Sequence, residues 1–182
     1  MTLKTLNIDK SWTLFLDRDG VINKKLENDY VKHSTEFEFI DGVLPALATL
    51  NHIFGTIVIV TNQQCVGKGI ITVDDLDLIH KNMLYEISYL KGRIDKVYFA
   101  PYLASENHAH RKPNTGMALQ AKQDFSQIDF NKSIIVGDSM SDMQFGKNVG
   151  MKTVFISDSK QENDLIDFHF KGLAYFAHTL TV

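Results

Sequence analysis

The chain has 182 residues, enough to bury a real core, and is expected to form a single globular domain over residues 1–182. Its formal net charge of −3 lacks the basic excess needed to grip a phosphate backbone, which argues against nucleic acid as a partner, and the single Cys65 excludes an internal disulfide. No apolar run reaches membrane-spanning length, and MTLKTLNIDKSW has neither the apolar stretch nor the cleavage site of a signal peptide, so a cytoplasmic protein without a membrane partner is expected.

In chain order, TLFL (13–16) reads as the first buried strand. VLPALATLNHIF (43–54) follows with helical spacing: Val43, Leu47, Leu50 and Phe54 share a face, and Gly55 stands where a helix stop is expected. TIVIV (56–60) is a second strand. A helix is then expected from about Asp74 to Leu90, with Leu76, Ile79, Met83, Ile87 and Leu90 as its apolar stripe and Thr72 with Asp75 as a capping box. KVYF (96–99) comes next, and after Pro113 a helix that includes Met117 and Leu119. SIIV (133–136), TVFI (153–156) and, more weakly, IDFHF (166–170) complete the strands. The tail, with Phe168, Phe170, Leu173, Tyr175 and Phe176, reads as a last strand and helix closing the core. Strands alternating with helices imply an α/β, doubly wound, mostly parallel Rossmann-like sheet.

Ligands of such sheets gather beyond the carboxyl ends of the strands. TLFL is followed by Asp17-Arg18-Asp19-Gly20, TIVIV by Thr61-Asn62-Gln63, and SIIV by Gly137-Asp138-Ser139 with Asp142 a turn later. Three carboxylates from two strand ends repel one another unless a cation intervenes, and an oxygen-rich site of this kind suits Mg²⁺. An Asp-x-Asp-Gly sequence alone reads more readily as a turn; Gly-Asp-Ser after another strand and Thr-Asn after a third weaken that reading.

These residues resemble the four motifs of the haloacid dehalogenase (HAD) superfamily of hydrolases. DRDGVIN, FEFIDGV, VTNQ, RKPNTGM and VGDSMSDM are more narrowly similar to the D-glycero-D-manno-heptose 1,7-bisphosphate phosphatases and the related histidinol-phosphate phosphatase domains, over roughly residues 13–156. The resemblance implies an Mg²⁺-dependent phosphomonoester hydrolase on a HAD-like fold. Asp17 would form an aspartyl-phosphate and bind the metal; Asp19 would serve as acid and then base, with its backbone carbonyl on the metal; Asp138 would complete the metal site. Thr61, the amide of Asn62 and Lys112 would hold phosphoryl oxygens, and Arg111 another polar part of the substrate. Asp142 is left with two roles, a partner of Lys112 or of a metal-bound water, or a solvated helix face.

The resemblance also implies a zinc loop that this chain does not reproduce. Relatives carry Cys-x-His after the third strand and Cys-x-Cys before the Arg-Lys, whereas this chain has Ala100-Pro101-Tyr102 and His108-Ala109-His110. Glu106 and Asn107 are poor replacements in a site that needs four ligands, so zinc is not expected. No insertion is long enough for a separate cap domain, so the site should be open, rimmed by residues 23–36, 63–70 and 100–110. Gly67-Lys68-Gly69 is a weak phosphate-loop signal and more simply a flexible connection, and Cys65 reads as a small core filler. The expected substrate is a small phosphorylated metabolite, a heptose bisphosphate first and histidinol phosphate second, bound by a monomer; a phospho-ligand sensor without turnover is the non-enzyme alternative.

Overall fold

Every residue of the first strand, β1 (Thr13–Leu16), is buried, as a central strand covered on both faces requires. In the computed structural model, which describes residues 3–181, β1 is flanked by β2 (Thr56–Asn62) and β4 (Ser133–Gly137). Beyond them lie β3 (Lys96–Ala100) on one side and β5 (Lys152–Ile156) and β6 (Phe168–Phe170) on the other. All six strands are parallel, in the order β3-β2-β1-β4-β5-β6. The strands coincide with the expected apolar runs, and β2 continues through Thr61 to Asn62.

Alternation along β1 divides the core. Leu14 and Leu16 face a layer built by α1 (Val43–Ile53), the long helix α3 (Val73–Tyr89) and the C-terminal helix α6 (Leu173–Thr179). Phe15 faces α4 (Gly116–Asp124) and α5 (Met140–Val149), where Met117, Ala121 and Phe145 are buried. Leu47, Leu50 and Phe54 are fully buried on the first face, each stabilising the fold by about 1.5–3 kcal/mol. A third cluster, Val31, Cys65, Ile71, Leu76 and Ile79, packs the rim loops onto α3 and the short helix α2 (Gln64–Gly67). No helix among the described residues is long and apolar enough to cross a membrane.

Several local expectations change. The Thr72–Asp75 capping box is present, but Leu90 lies past the end of α3 and is exposed, as is Tyr175 on α6. Gly55 is not a left-handed helix stop: a Cβ there would lie 1.9 Å from the Lys10 carbonyl oxygen, so close backbone approach explains the glycine. Gly67 is helical, and a Cβ on it would meet the Pro101 carbonyl oxygen at 2.3 Å, which replaces the flexible-connection reading with a packing one. Lys68 sits outside the aspartate cluster, its Nζ 2.8 Å from the Tyr30 hydroxyl.

The register brings the polar strand ends together. Leu16 pairs with both Ile59 and Val136, so Asp17, Thr61 and Asp138 emerge side by side. This is the edge where the chain departs from β1 toward opposite halves of the sheet, the place where doubly wound folds open a ligand crevice.

Candidate active site

Asp17 continues β1 by one hydrogen bond, its amide donating to the Val136 carbonyl at 2.9 Å. Its Oδ1 accepts from the Arg18 amide at 2.7 Å and lies 2.9 Å from Lys112 Nζ. Lys112 is almost fully buried; its Nζ donates to the Val60 carbonyl at 2.7 Å and is ion-paired with Asp17 Oδ1 and with Asp142 Oδ1 at 2.5 Å. The Asp142 contact is one of opposite charges at close range rather than an aligned hydrogen bond, for that oxygen has no partner of good hydrogen-bond geometry.

Asp142 has no exposed surface, which overturns the solvated-face alternative. It forms a capping box with Ser139 at the start of α5, its Oδ2 accepting from the Ser139 amide at 3.1 Å and hydroxyl at 2.6 Å. Gly137 is required beside it, since a Cβ there would fall 2.2 Å from the Asp142 Cβ. Asn62 exchanges two hydrogen bonds with the Lys112 backbone, Nδ2 donating to its carbonyl at 3.1 Å and Oδ1 accepting from its amide at 3.0 Å. The Asn62 side chain thus fixes the lysine.

Asp19 lies on a tight turn closed by the Gly20 amide donating to the Asn23 carbonyl at 2.8 Å. Its Oδ1 accepts from Asn23 Nδ2 at 2.9 Å and Arg18 NH2 at 3.0 Å, and its Oδ2 from Gln63 Nε2 at 2.8 Å. Gln63 also donates to the buried Thr61 hydroxyl oxygen at 2.9 Å. Asp17, Asp19, Thr61, Asn62, Arg111 and Lys112 line one open cleft of about 310 Å³, with Lys25, Tyr30 and Gln64 on its rim. Arg111 is anchored through NH1 to the Tyr102 carbonyl at 3.0 Å.

This geometry has counterparts. A family model described as polynucleotide kinase 3 phosphatase matches residues 13–171. A D-glycero-alpha-D-manno-heptose-1,7-bisphosphate 7-phosphatase of Mycobacterium bovis is 38% identical over 138 residues, 76% of this chain and 73% of the relative. One of Campylobacter jejuni is 37% identical over 165 residues, 90% of this chain and 92% of the relative. The chain belongs to this family of HAD phosphatases. A crystal structure of D,D-heptose 1,7-bisphosphate phosphatase from B. bronchiseptica, complexed with magnesium and phosphate, superposes with a TM-score of 0.84 at 25% identity, covering 93% of this chain and 98% of that one.

The phosphatase concentrates negative charge. One carboxylate oxygen each from Asp17, Asp138 and Asp142 lies within 4.8 Å of the others, the sole group of this kind among the described residues. Burial, then the charge of Asp142, pushes the Asp17 carboxyl from 3.8 up to about 7, against the pull of Lys112. Burial also raises Asp138, opposed by Lys25, whose Nζ is 2.6 Å from Asp138 Oδ2. Burial acts against the charge on Lys112 too, but Asp142 and Asp17 prevail and hold it above its ordinary value. Burial likewise opposes ionisation of Asp19, and there the Arg18 charge and the three side-chain donors win, so Asp19 sits below the ordinary carboxylate range.

A hard divalent cation fits this donor set. Asp138 Oδ1 is buried without a partner, and Gly20 leaves room that a Cβ would fill, 2.2 Å from Asp138 Oδ2. The histidines differ. His108 Nδ1 accepts from the His110 amide at 3.1 Å and its ring stacks on Tyr102, while Glu106 and Asn107 are engaged by Leu103 and Asn114.

Reading the sequence found Asp17, Asp19, Lys112 and Asp138 at one place but missed the side chains around Asp19. Arg18, Asn23 and Gln63 each lie within or beside a quoted motif, so proximity to the aspartates was the available signal. His80, which contacts Arg18, sits inside the α3 apolar stripe and gave no signal beyond a polar residue in an apolar row. Cys65 is buried, 3.5 Å from Gln63 Oε1, and burial pushes its thiol up, as a core filler requires.

Proposed function

We propose that this phosphatase hydrolyses a sugar bisphosphate, D-glycero-D-manno-heptose 1,7-bisphosphate, through an aspartyl-phosphate on Asp17. The observation that carries the reading is the Asp17–Lys112 arrangement: a carboxylate lining the cleft, ion-paired with a buried ammonium that the Val60 carbonyl and the Asp142 carboxylate hold in place. Asp17 attacks phosphorus, forming a P–O bond as the bond to the sugar oxygen breaks. Asp19 protonates the departing oxygen, then takes a proton from the water that cleaves the aspartyl-phosphate, releasing inorganic phosphate and restoring Asp17. Its ionised resting state is compatible with this role, because an entering phosphate dianion raises the proton affinity of a neighbouring carboxylate.

Lys112 and the Thr61 hydroxyl face the phosphoryl oxygens, together with the amide that follows Thr61, and offset the charge that spreads over them. Asp17, Asp138 and the Asp19 carbonyl would hold Mg²⁺, which supplies charge neutralisation and favours the ionised Asp17. Arg111, on the far wall, offers a planar donor fork for the second phosphate or a sugar hydroxyl. We place the enzyme in the cytoplasm as a monomer, a reading to which the buried unpaired Cys65 lends support and which sedimentation would test.

The test is phosphate release in Mg²⁺ and in EDTA across both heptose 1,7-bisphosphate anomers, fructose 1,6-bisphosphate, histidinol phosphate and common monophosphates. Mg²⁺-dependent turnover led by a heptose bisphosphate and abolished in Asp17→Asn is the expected result. Preference for histidinol phosphate would move the substrate; silence from folded protein would favour a phospho-ligand sensor. The family description matched by residues 13–171 also brings a polynucleotide 3′-phosphate into the panel, where the net charge of −3 predicts poor turnover.

A further inference from the structure

Arg18 separates the two aspartates of the motif, yet it is one of the most deeply buried side chains, 1% exposed. Its NH2 reaches Asp19 Oδ1 at 3.0 Å, its NH1 lies 3.1 Å from His80 Nε2, and its Nε has no partner. The guanidinium carbon is 5.9 Å from the centre of the Phe37 ring. A buried guanidinium is costly to desolvate, and here one carboxylate and one imidazole carry its hydrogen bonds.

His80 belongs to α3 and is 5% exposed, between Leu76 and Met83 on the buried face, with Phe99 6.0 Å from its ring centre. Guanidinium can only donate, so Nε2 is the bare nitrogen and Nδ1 carries the proton. Burial, and then the Arg18 charge, push His80 down to about 3, so it stays a neutral acceptor at physiological pH. An aliphatic residue at this point would continue the apolar stripe; the imidazole instead gives the second guanidinium nitrogen a fixed direction.

We propose that His80 is a positioning residue for turnover: by fixing the Arg18 guanidinium it fixes the orientation of the Asp19 carboxylate. The effect passes from α3 to the cleft through two hydrogen bonds, and no atom of His80 needs to touch substrate. Arg18 and Asn23 share Asp19 Oδ1 and Gln63 holds Oδ2, so the guanidinium is one of three donors that set the carboxylate plane. The inference rests on the reading of Asp19 as the proton donor to the leaving oxygen.

That role predicts a dependence on the leaving group. A sugar alkoxide needs a proton as it departs, whereas p-nitrophenolate does not, so a misplaced Asp19 slows the first and spares the second. The experiment measures single-turnover phosphoryl transfer with Mg²⁺ for a heptose bisphosphate, or the best sugar phosphate found, and for p-nitrophenyl phosphate. It uses His80→Leu and His80→Gln, whose folding is verified by circular dichroism. In His80→Leu the sugar phosphate rate should fall about tenfold or more, with less than about a threefold change in KM and in the p-nitrophenyl phosphate rate. His80→Gln, which can place an amide oxygen near the Nε2 position, should recover most of the loss.

Should His80→Leu fail to fold, His80→Asn, which retracts the acceptor, carries the same prediction. Equal losses with both substrates, no loss, or no rescue by glutamine would overturn the proposal and leave His80 a packing residue. Asp19→Asn serves as the control for the underlying reading: if it slows both substrates equally, the assignment of Asp19 fails independently of His80.

Discussion

Replacing Asp17 by Asn should abolish turnover and at the same time stabilise the metal-free protein. The Asp17 carboxyl binds its proton more tightly in the fold than in the unfolded chain, its pKa raised from 3.8 to about 7 by burial and by Asp142. The stability contributed by the protonated group is therefore complete below about pH 4 and is lost as pH rises through about 7. At about 1.4 kcal/mol for each tenfold change in proton affinity, the ionised carboxylate costs the metal-free fold at most roughly 4 kcal/mol at pH 8. Asparagine keeps an oxygen for the Arg18 amide and Lys112 without the charge. In urea titrations in EDTA, Asp17→Asn should have the higher midpoint at pH 8, and the difference should vanish toward pH 4. Mg²⁺ should narrow the gap by stabilising the wild type more. A variant less stable than wild type at pH 8 in EDTA would refute the reasoning, because Lys112 would then outweigh burial and Asp142 together.

Lys112→Met leaves Asp17 and Asp142 buried without their cation, so chemical denaturation should show a loss of about 3–5 kcal/mol at pH 8, smaller at pH 5 where Asp17 takes up its proton. Gly20→Ala places a Cβ 2.2 Å from Asp138 Oδ2 at a backbone φ of +84°, and titration calorimetry should find Mg²⁺ binding weakened about tenfold or more. Lys25→Ala removes a half-exposed competitor for Asp138; Mg²⁺ should bind about two- to fivefold more tightly, with stability changed by less than about 1 kcal/mol.

The architecture was largely legible because parallel strands buried on both faces read as unbroken apolar runs, and the runs TLFL, TIVIV and SIIV are each followed by a polar cluster that makes poor core. Motif order then placed Asp17, Thr61 and Asp138 on one edge before any register was known. What stayed hidden depends on burial of charge. Nothing in Asp-Arg-Asp-Gly tells whether Arg18 reaches solvent or the core, and periodicity treats His80 as an interruption of an apolar stripe. Asp142 was ambiguous for the same reason: its helical position fits a solvated face, and only the close packing against Gly137 turns it inward. Gly55 and Gly67 show the complementary limit, since the neighbour that excludes a side chain is distant in sequence, Lys10 in one case and Pro101 in the other.

The paired hydrogen bonds between Asn62 and the Lys112 backbone separate two design problems. They rivet the end of the segment after β3 to the end of β2, so the lysine holds its place whatever path residues 101–110 take to reach it. That stretch is consequently an interchangeable part: exchanging it for the equivalent loop of a relative should retune which substrate is accepted while the phosphorus-handling machinery keeps its alignment. A family built this way can diversify its substrates by editing one short span of chain.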